Sequence, residues 1–133
     1  MAKPALSPSG RKVLNKALRA IQAMPDTLNM EDWLYHNPRA RPTKEHPVPY
    51  CGTVACLAGH IVLAAGGEAD SFRVAERALD ALGVVFRYDI SHALFFVNGW
   101  PEKFWWIYLR ARSHRERAHI VIARVHHWLR TGE

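Results

Sequence analysis

The sequence predicts an all-α protein, a compact single domain of about six helices that spans residues 1–133. Apolar residues recur at helical spacing through most of the chain, and one helical stretch, 54–65, carries no charged residue. Only the short run 84–86 is typical of a strand, and a lone strand has no partner with which to form a sheet. We therefore expect the other helices to pack around a buried central helix over 54–65.

Length and composition indicate a globular protein that folds without help from a metal or a disulfide. Apolar residues make up 49% of the 133 residues and charged residues 23%, which excludes a disordered chain. Two cysteines, Cys51 and Cys56, are too few for a secreted disulfide scaffold. Residues 1–10 lack the apolar core of a signal peptide, and the longest apolar run is too short to span a bilayer. We expect a cytoplasmic protein that does not enter a membrane.

The first helix is predicted to begin at Ser7-Pro8 and to end before Pro25. Serine caps a helix start, and proline suits the first turn because its missing N–H is not needed there. The apolar residues of this helix recur every three or four positions, which predicts one buried face: Val13, Leu14, Ala17, Leu18, Ile21 and Met24.

A proline-rich segment separates this first part from the central helix. Residues 37–50 contain four prolines, a density that prevents regular structure and favours extended backbone. We interpret 37–50 as an ordered loop across the surface, preceded by a short segment over 29–35 that Trp33 anchors. A linker between two domains is the less favoured interpretation, because only about 36 residues precede it.

The central helix is predicted over 54–65, with Thr53 as its cap and Gly66-Gly67 as its stop. It is apolar on every side, so we expect it to be buried on every side. Ala55 and Gly59 are four residues apart, so a neighbouring helix can approach closely at this point.

Four more helices are predicted in the second half of the chain. Their expected starting points are Asp70 or Ser71, Ile90, Pro101 and Ser113. Ser113 and Glu116 have the spacing of a capping box, in which each residue satisfies a main-chain N–H group near the other. Gly83 and Gly132 are placed to end the helices that precede them.

The net charge of +6 is concentrated at the two ends of the chain. A basic surface favours anionic partners, so one hypothesis is a nucleic-acid binder that uses its terminal helices. No recognition helix stands out, so weak binding without sequence preference is expected. The alternative is that these bases pair with acids across the domain or keep it soluble. The candidate phosphate contacts are Arg11, Lys12, Arg115, Arg117, Arg124 and Arg130.

The cysteines and nearby histidines provide the candidates for chemistry. A cysteine at a helix start with a histidine four residues later, as in Cys56 and His60, is the minimum for a thiol nucleophile. Together with Cys51 and His46, they are also ligand types that zinc takes, although their spacing is not that of a zinc finger. The favoured interpretation is that Cys56 and His60 are core residues, without metal or other cofactor.

Aromatic residues are unusually dense between positions 100 and 108. Pro101 suits a helix start, so Trp100 can act as a structural residue that packs against the following turn. One buried face cannot hold all these rings, however, so the alternative is an exposed aromatic patch. In that case Trp100, Trp105 and Trp106 would form the contact with a protein partner or a second copy of the chain.

Two motifs resemble those of a known group of proteins. Residues 51–59 resemble a C-G-T-x-x-C-x-A-G motif, and Leu94-Phe95 followed by Trp100-Pro101 resembles an L-F-x₄-W-P motif. Together with residues 115–133, these resemble an uncharacterised family of small bacterial, notably actinobacterial, and phage proteins over roughly 25–133. The family motif often has tryptophan where this chain has His60, which argues against a catalytic or metal role for that histidine. The resemblance implies a phage-related context and no particular activity.

No phosphate-binding loop, nucleophile elbow, zinc-protease motif or dinucleotide-binding turn occurs in the sequence. We therefore expect a non-catalytic cytoplasmic protein with a binding or regulatory role. The nucleic-acid hypothesis and the thiol or zinc hypothesis remain the alternatives.

Overall fold

The protein folds into a helical domain with one short β-ribbon. A computed structural model describes residues 3–30, 34–36, 53–67 and 73–133. Six α-helices occur in these ranges: α1 (Pro8–Ala23), α2 (Leu57–Ala64), α3 (Val74–Leu82), α4 (Tyr88–Phe95), α5 (Glu102–Arg110) and α6 (His114–Thr131). Short 3₁₀ helices span Pro25–Thr27 and Val97–Gly99. The prediction of an all-α domain of about six helices is confirmed.

Helix α2 lies at the centre, and all eight of its residues are buried. It packs against α1 and α3, which also contact each other. A helix without charged residues can remain buried on every side because its main-chain polar groups are satisfied internally and its side chains need no water. The prediction of a buried central helix is confirmed, although the helix begins at Leu57 and not at residue 54.

The start of the central helix differs from the prediction because the preceding residues form a strand. Thr53–Ala55 (β2) pairs antiparallel with Leu34–His36 (β1), and Ala55 lies opposite Leu34. Cys56 has extended backbone angles and is the cap residue, so Thr53 does not cap the helix. The prediction that Ala55 and Gly59 lie one turn apart in the same helix is therefore wrong, because Ala55 belongs to β2. The proline-rich loop predicted over 37–50 lies outside the described residues.

A close approach between two helices occurs at Gly10 in α1. A Cβ atom on Gly10 would lie 2.1 Å from the main-chain oxygen of Leu82, at the end of α3. Ser7 caps α1 as predicted, since its Oγ accepts a hydrogen bond of 3.0 Å from the Gly10 N–H. Gly83 then turns the chain in the left-handed region, with φ of 75°. The contact of α1 with α3 thus depends on glycine at two positions.

The last two helices pack against each other and position the site described below. Ser113 caps α6 by accepting a hydrogen bond from the Glu116 N–H at 3.1 Å. The Glu116 side chain accepts from the N–H of Arg112 at 2.8 Å, one residue earlier than a standard capping box requires. Gly132 ends α6 with φ of 78°, as predicted.

Candidate functional site

Helix α5 leaves several apolar side chains uncovered. It buries Phe104 and Tyr108, which lie one turn apart on its inner face. Away from that face Trp106, Ile107 and Leu109 remain 48%, 46% and 62% exposed, with Ile107 and Leu109 on opposite flanks of the helix. A helix of nine residues that turns large apolar side chains both inward and outward has a second surface available for contact.

Trp106, Ile107 and Arg110 form one wall of an open groove against the first half of α6. The groove has a volume of about 800 Å³. Its apolar surface comes mainly from Trp106, Ile107 and Ile120, and its cations are Arg110 and Arg115. Its remaining lining residues are Ala111, Ser113, Glu116 and His119.

The side chain of Trp106 is held in place by neighbouring residues. The guanidinium carbon of Arg110 lies 3.2 Å from the centre of a Trp106 ring, so the two side chains are stacked. Arg110 also donates a hydrogen bond of 3.3 Å from Nη1 to the main-chain oxygen of Trp106. Trp105 meets Trp106 edge-on, with ring centres 6.0 Å apart. These contacts orient the exposed indole before any partner binds.

The groove has a positive electrostatic character. Its one acidic lining residue, Glu116, already accepts the hydrogen bond from Arg112. Arg110 and Arg115 are exposed, and Arg110 lies within the groove beside the apolar surface. An occupant that is apolar on one side and acidic on the other would therefore match it.

A second, smaller groove extends this surface to the end of α1. It has a volume of about 470 Å³ and shares Arg115 and His119 with the first groove. Gln22 and Pro25 line its opposite side, near the end of α1. Arg11 and Lys12 lie near the other end of α1, roughly 15 Å away along the helix axis. Among the predicted phosphate contacts, Arg11 and Lys12 are thus separated from Arg115.

Two of the remaining predicted phosphate contacts are engaged within the protein. Arg124 is fully buried, so its assignment to the nucleic-acid surface is wrong. Arg117 is half-buried and donates a hydrogen bond of 3.2 Å to the main-chain oxygen of Ala111. Arg130 is exposed at the far end of α6 from Arg115. Of the six candidates, the exposed ones are therefore Arg11, Lys12, Arg115 and Arg130.

Arg124 was overlooked as a core residue because of its charge. It lies three residues after Val121 and four before Trp128, both buried, and this spacing marks the inner face of α6. Its Nη2 donates a 2.6 Å hydrogen bond to the main-chain oxygen of Ala93, in the last turn of α4. Burial lowers the pKa of Arg124 to about 10, so the guanidinium remains charged at neutral pH.

The predicted aromatic interface divides into a buried and an exposed part. Trp100 is only 3% exposed, and its Nε1 donates a 2.9 Å hydrogen bond to the main-chain oxygen of Leu94. It also meets the Tyr108 ring edge-on, with centres 5.4 Å apart. Its assignment to an interface is therefore wrong. Trp105 is half-buried, and Trp106 is the exposed tryptophan of the three.

The candidate thiol and zinc residues do not form an accessible site in the described ranges. Cys56 is 1% exposed and His60 is fully buried. The Nε2 of His60 lies 3.0 Å from the main-chain oxygen of Thr27, which can only accept, so Nε2 carries the hydrogen. His46 and Cys51 lie outside the described residues. Within the residues that are described, no group of three or more metal-binding side chains is arranged to hold an ion.

Among the helices of the described ranges, none combines the length and apolarity needed to cross a membrane. Comparison of the chain with protein families, curated proteins and solved structures found no matching family, no matching curated protein and no matching solved structure.

Proposed function

We propose that this chain is a non-catalytic binding protein whose α5–α6 groove takes an acidic, amphipathic helical segment of a partner protein. The observation that supports this most directly is the exposed pair Trp106 and Ile107, set in a groove beside Arg110. Exposed tryptophan and arginine are the residue types that contribute most of the binding energy in protein interfaces.

The chemistry of the occupant follows from the two kinds of lining residue. An apolar face of leucine-like side chains would cover Trp106, Ile107 and Ile120 and remove their surface from water. Carboxylates on the flanks of the same helix would pair with Arg110 and Arg115. A helix presents side chains on both flanks of one apolar face, which suits a groove formed by two helices.

Three properties support a protein segment over nucleic acid at this groove. Trp106 is the exposed tryptophan there, whereas single-stranded nucleic acid is commonly held by several stacking rings. One ring face of Trp106 is covered by Arg110. The neighbouring Ile107 and Ile120 offer aliphatic surface, which favours apolar side chains over phosphates.

The proposal can be tested with a pair of designed helical peptides. Both carry leucine along one face, and the other face carries glutamate in one peptide and lysine in its counterpart. Calorimetric titration of the protein with each peptide should show saturable binding of the acidic peptide and no binding of the basic peptide. Equal binding of both peptides, or binding of neither, would contradict the proposal. Single-stranded DNA that displaced the acidic peptide at low salt would reassign the groove to nucleic acid.

Matched variants connect that binding to the groove. Trp106→Ala and Ile107→Ser should each weaken binding of the acidic peptide by at least about tenfold. Val85→Ser is the control, because Val85 is 82% exposed on the loop between α3 and α4 and does not line the groove. A control variant that weakened binding as much as Trp106→Ala would place the contact elsewhere. Sedimentation of the unliganded protein would show whether a second copy occupies the groove, which would also overturn the proposal.

A second candidate function is weak nucleic-acid binding by α1. The bases Arg11, Lys12, Lys16 and Arg19 are all exposed, and this helix contains no acidic residue. Phosphate contacts of this type lose affinity steeply as salt rises. Titration of labelled duplex and single-stranded DNA and RNA at two salt concentrations tests it. Replacement of Lys12 and Lys16 by glutamine should weaken binding and reduce its salt dependence, and no binding at low salt would exclude this function.

The cellular setting belongs to the same proposal. The low cysteine content supports a cytoplasmic location, and the resemblance to small actinobacterial and phage proteins supports a phage-related role. Expression in a bacterial host followed by cell fractionation tests the location.

A further inference from the structure

Arg124 has more hydrogen-bond donors than the protein satisfies. The residue is fully buried in α6, and its Nη2 donates to the main-chain oxygens of Ala93 and Glu133. Its Nε and Nη1 have no hydrogen-bond partner in the part of the chain that the structure describes. No Asp or Glu side chain in those ranges forms an ion pair with it either. Buried donors without acceptors are costly, so a charged group with two of them indicates a place for an acceptor from outside the chain, such as a water, an ion or a ligand.

The surroundings of Arg124 are rich in positive charge. Its guanidinium carbon lies 5.7 Å from the centre of the Phe104 ring, and the Nζ atom of Lys103 lies 5.1 Å from the same centre. The His127 ring is tilted against Phe104, with ring centres 5.1 Å apart. Two basic residues and a histidine thus converge on one aromatic ring. Burial lowers the pKa of His127, and the nearby charges of Lys103, Arg124 and Arg130 lower it further.

The first turn of α5 adds main-chain donors at this end of the molecule. The cap residue of α5 is Pro101, whose side chain offers no hydrogen-bond acceptor to the helix start. The early N–H groups of α5 therefore lack a side-chain cap, and the positive end of the helix dipole lies beside Lys103. Both features favour negative charge near Phe104.

Two anionic residues lie near this cluster: Glu102, in the first turn of α5, and Glu133, after α6. The main-chain oxygen of Glu133 accepts the hydrogen bond from Arg124, and its negative charge raises the pKa of His127 against the effect of the three bases. Glu133 itself is exposed and follows the glycine that ends α6. The chain after α6 therefore supplies Arg124 with a hydrogen-bond acceptor from within the protein.

We propose that Arg124, Lys103, His127 and Arg130 form a binding site for a doubly charged oxyanion of the phosphate type, and that Glu133 competes with this ligand. A phosphate group supplies several acceptor oxygens and two negative charges. It can therefore satisfy Nε and Nη1 of Arg124 once Glu133 moves aside, while Lys103 and Arg130 neutralise its charge. A single carboxylate such as acetate offers half of that charge. This site lies at the opposite end of α5 and α6 from the peptide groove and does not depend on it.

Inorganic phosphate, titrated in mildly alkaline solution at constant ionic strength, tests the site. The Nε–H signal of Arg124 in ¹H–¹⁵N spectra should move with a saturable dependence on phosphate, and acetate should move it less. Lys103→Met and Arg130→Gln should each weaken phosphate binding by roughly two- to fivefold. Arg112→Gln is the control, because Arg112 is an exposed arginine at the other end of α5 and α6 and lines neither groove.

The decisive variant is Glu133→Gln, which leaves the main-chain oxygen on Arg124 but removes the side-chain charge beside it, so it should tighten phosphate binding by roughly two- to fivefold. A purely structural role for Glu133 would predict weaker binding or no change. Weaker or unchanged phosphate binding by the Glu133→Gln variant would contradict the proposed competition between Glu133 and phosphate. The absence of a phosphate-dependent shift in the unmodified protein, or equal weakening by Arg112→Gln, would overturn the site itself.

Discussion

The imidazole Nε2 of His60 lies 3.0 Å from the main-chain oxygen of Thr27, and both residues are buried. This hydrogen bond joins α2 to the 3₁₀ helix that follows α1. Burial lowers the pKa of His60 from its usual 6.5 to about 4, and the bond to Thr27 raises it in part. His60 is therefore neutral in the folded protein near pH 7 and acts as a core residue.

We expect the protein to lose stability in mild acid because of His60. Its pKa is lower in the folded state than in the unfolded state, so the unfolded chain binds the proton more readily. The contribution of neutral His60 is complete above pH 6.5 and is lost as the pH falls towards about 4. The loss should reach about 3 kcal/mol. Urea unfolding across this pH range measures it, and His60→Gln should flatten the dependence. An equal pH dependence in His60→Gln and the unmodified protein would refute this assignment.

Substitution of Gly10 should disrupt the contact of α1 with α3. The new Cβ of Gly10→Ala would overlap the main chain of Leu82, which is not a flexible side chain. The free energy of unfolding should fall by about 1–3 kcal/mol, although alanine is the better helix former. Asn15→Ala, on the exposed face of the same helix, should leave stability unchanged or raise it slightly. Thermal denaturation of both variants compares them directly, and a Gly10→Ala protein as stable as its parent would contradict the close approach.

The same substitution should destabilise the protein at Trp100 and have little effect on stability at Trp106. Trp100→Phe removes the N–H that Leu94 accepts and leaves that buried oxygen unsatisfied, which should cost about 1–3 kcal/mol. Trp106→Phe, at a half-exposed position, should change stability by less than about 0.5 kcal/mol. Chemical denaturation measures both. Fluorescence quenching in solution should reach Trp106 and spare Trp100, and the reverse order would refute the assignment.

Replacement of Arg124 by methionine should abolish anion binding without lowering the stability of the protein. An apolar side chain of similar length removes the cost of a buried charge with unpartnered donors. We expect the free energy of unfolding to stay unchanged or to rise by about 1 kcal/mol, while the response to phosphate disappears. Calorimetric melting with and without phosphate measures both effects. A strongly destabilised Arg124→Met protein would instead mean that the bonds to Ala93 and Glu133 hold the fold together.

Local patterns in the sequence were enough to predict the helices and most of their ends. Ser7, Ser113 and Gly132 were identified because capping depends on residues only a few positions apart. The buried central helix was identified because a charge-free helical segment has no side chain that requires water. These features are decided by residues within one or two helical turns.

The start of α2 could not be predicted in the same way. Thr53–Ala55 continues an apolar run that fits a helix or a strand, and its pairing with Leu34–His36 decided between them. That partner is distant in sequence, so no local pattern reveals it. The proximity of Gly10 to Leu82 has the same origin, because it depends on how α1 and α3 pack.

The sequence by itself determined the all-α class, the buried central helix and the excess of basic residues, because each follows from composition and short-range periodicity. Only the tertiary structure decided which tryptophan is exposed and which arginine is buried. Trp100 and Trp106 are six residues apart, and Arg124 and Arg130 are equally close along the chain. Their exposure depends on which neighbouring helix covers each side chain, and that is a property of the packed fold and not of the residue type.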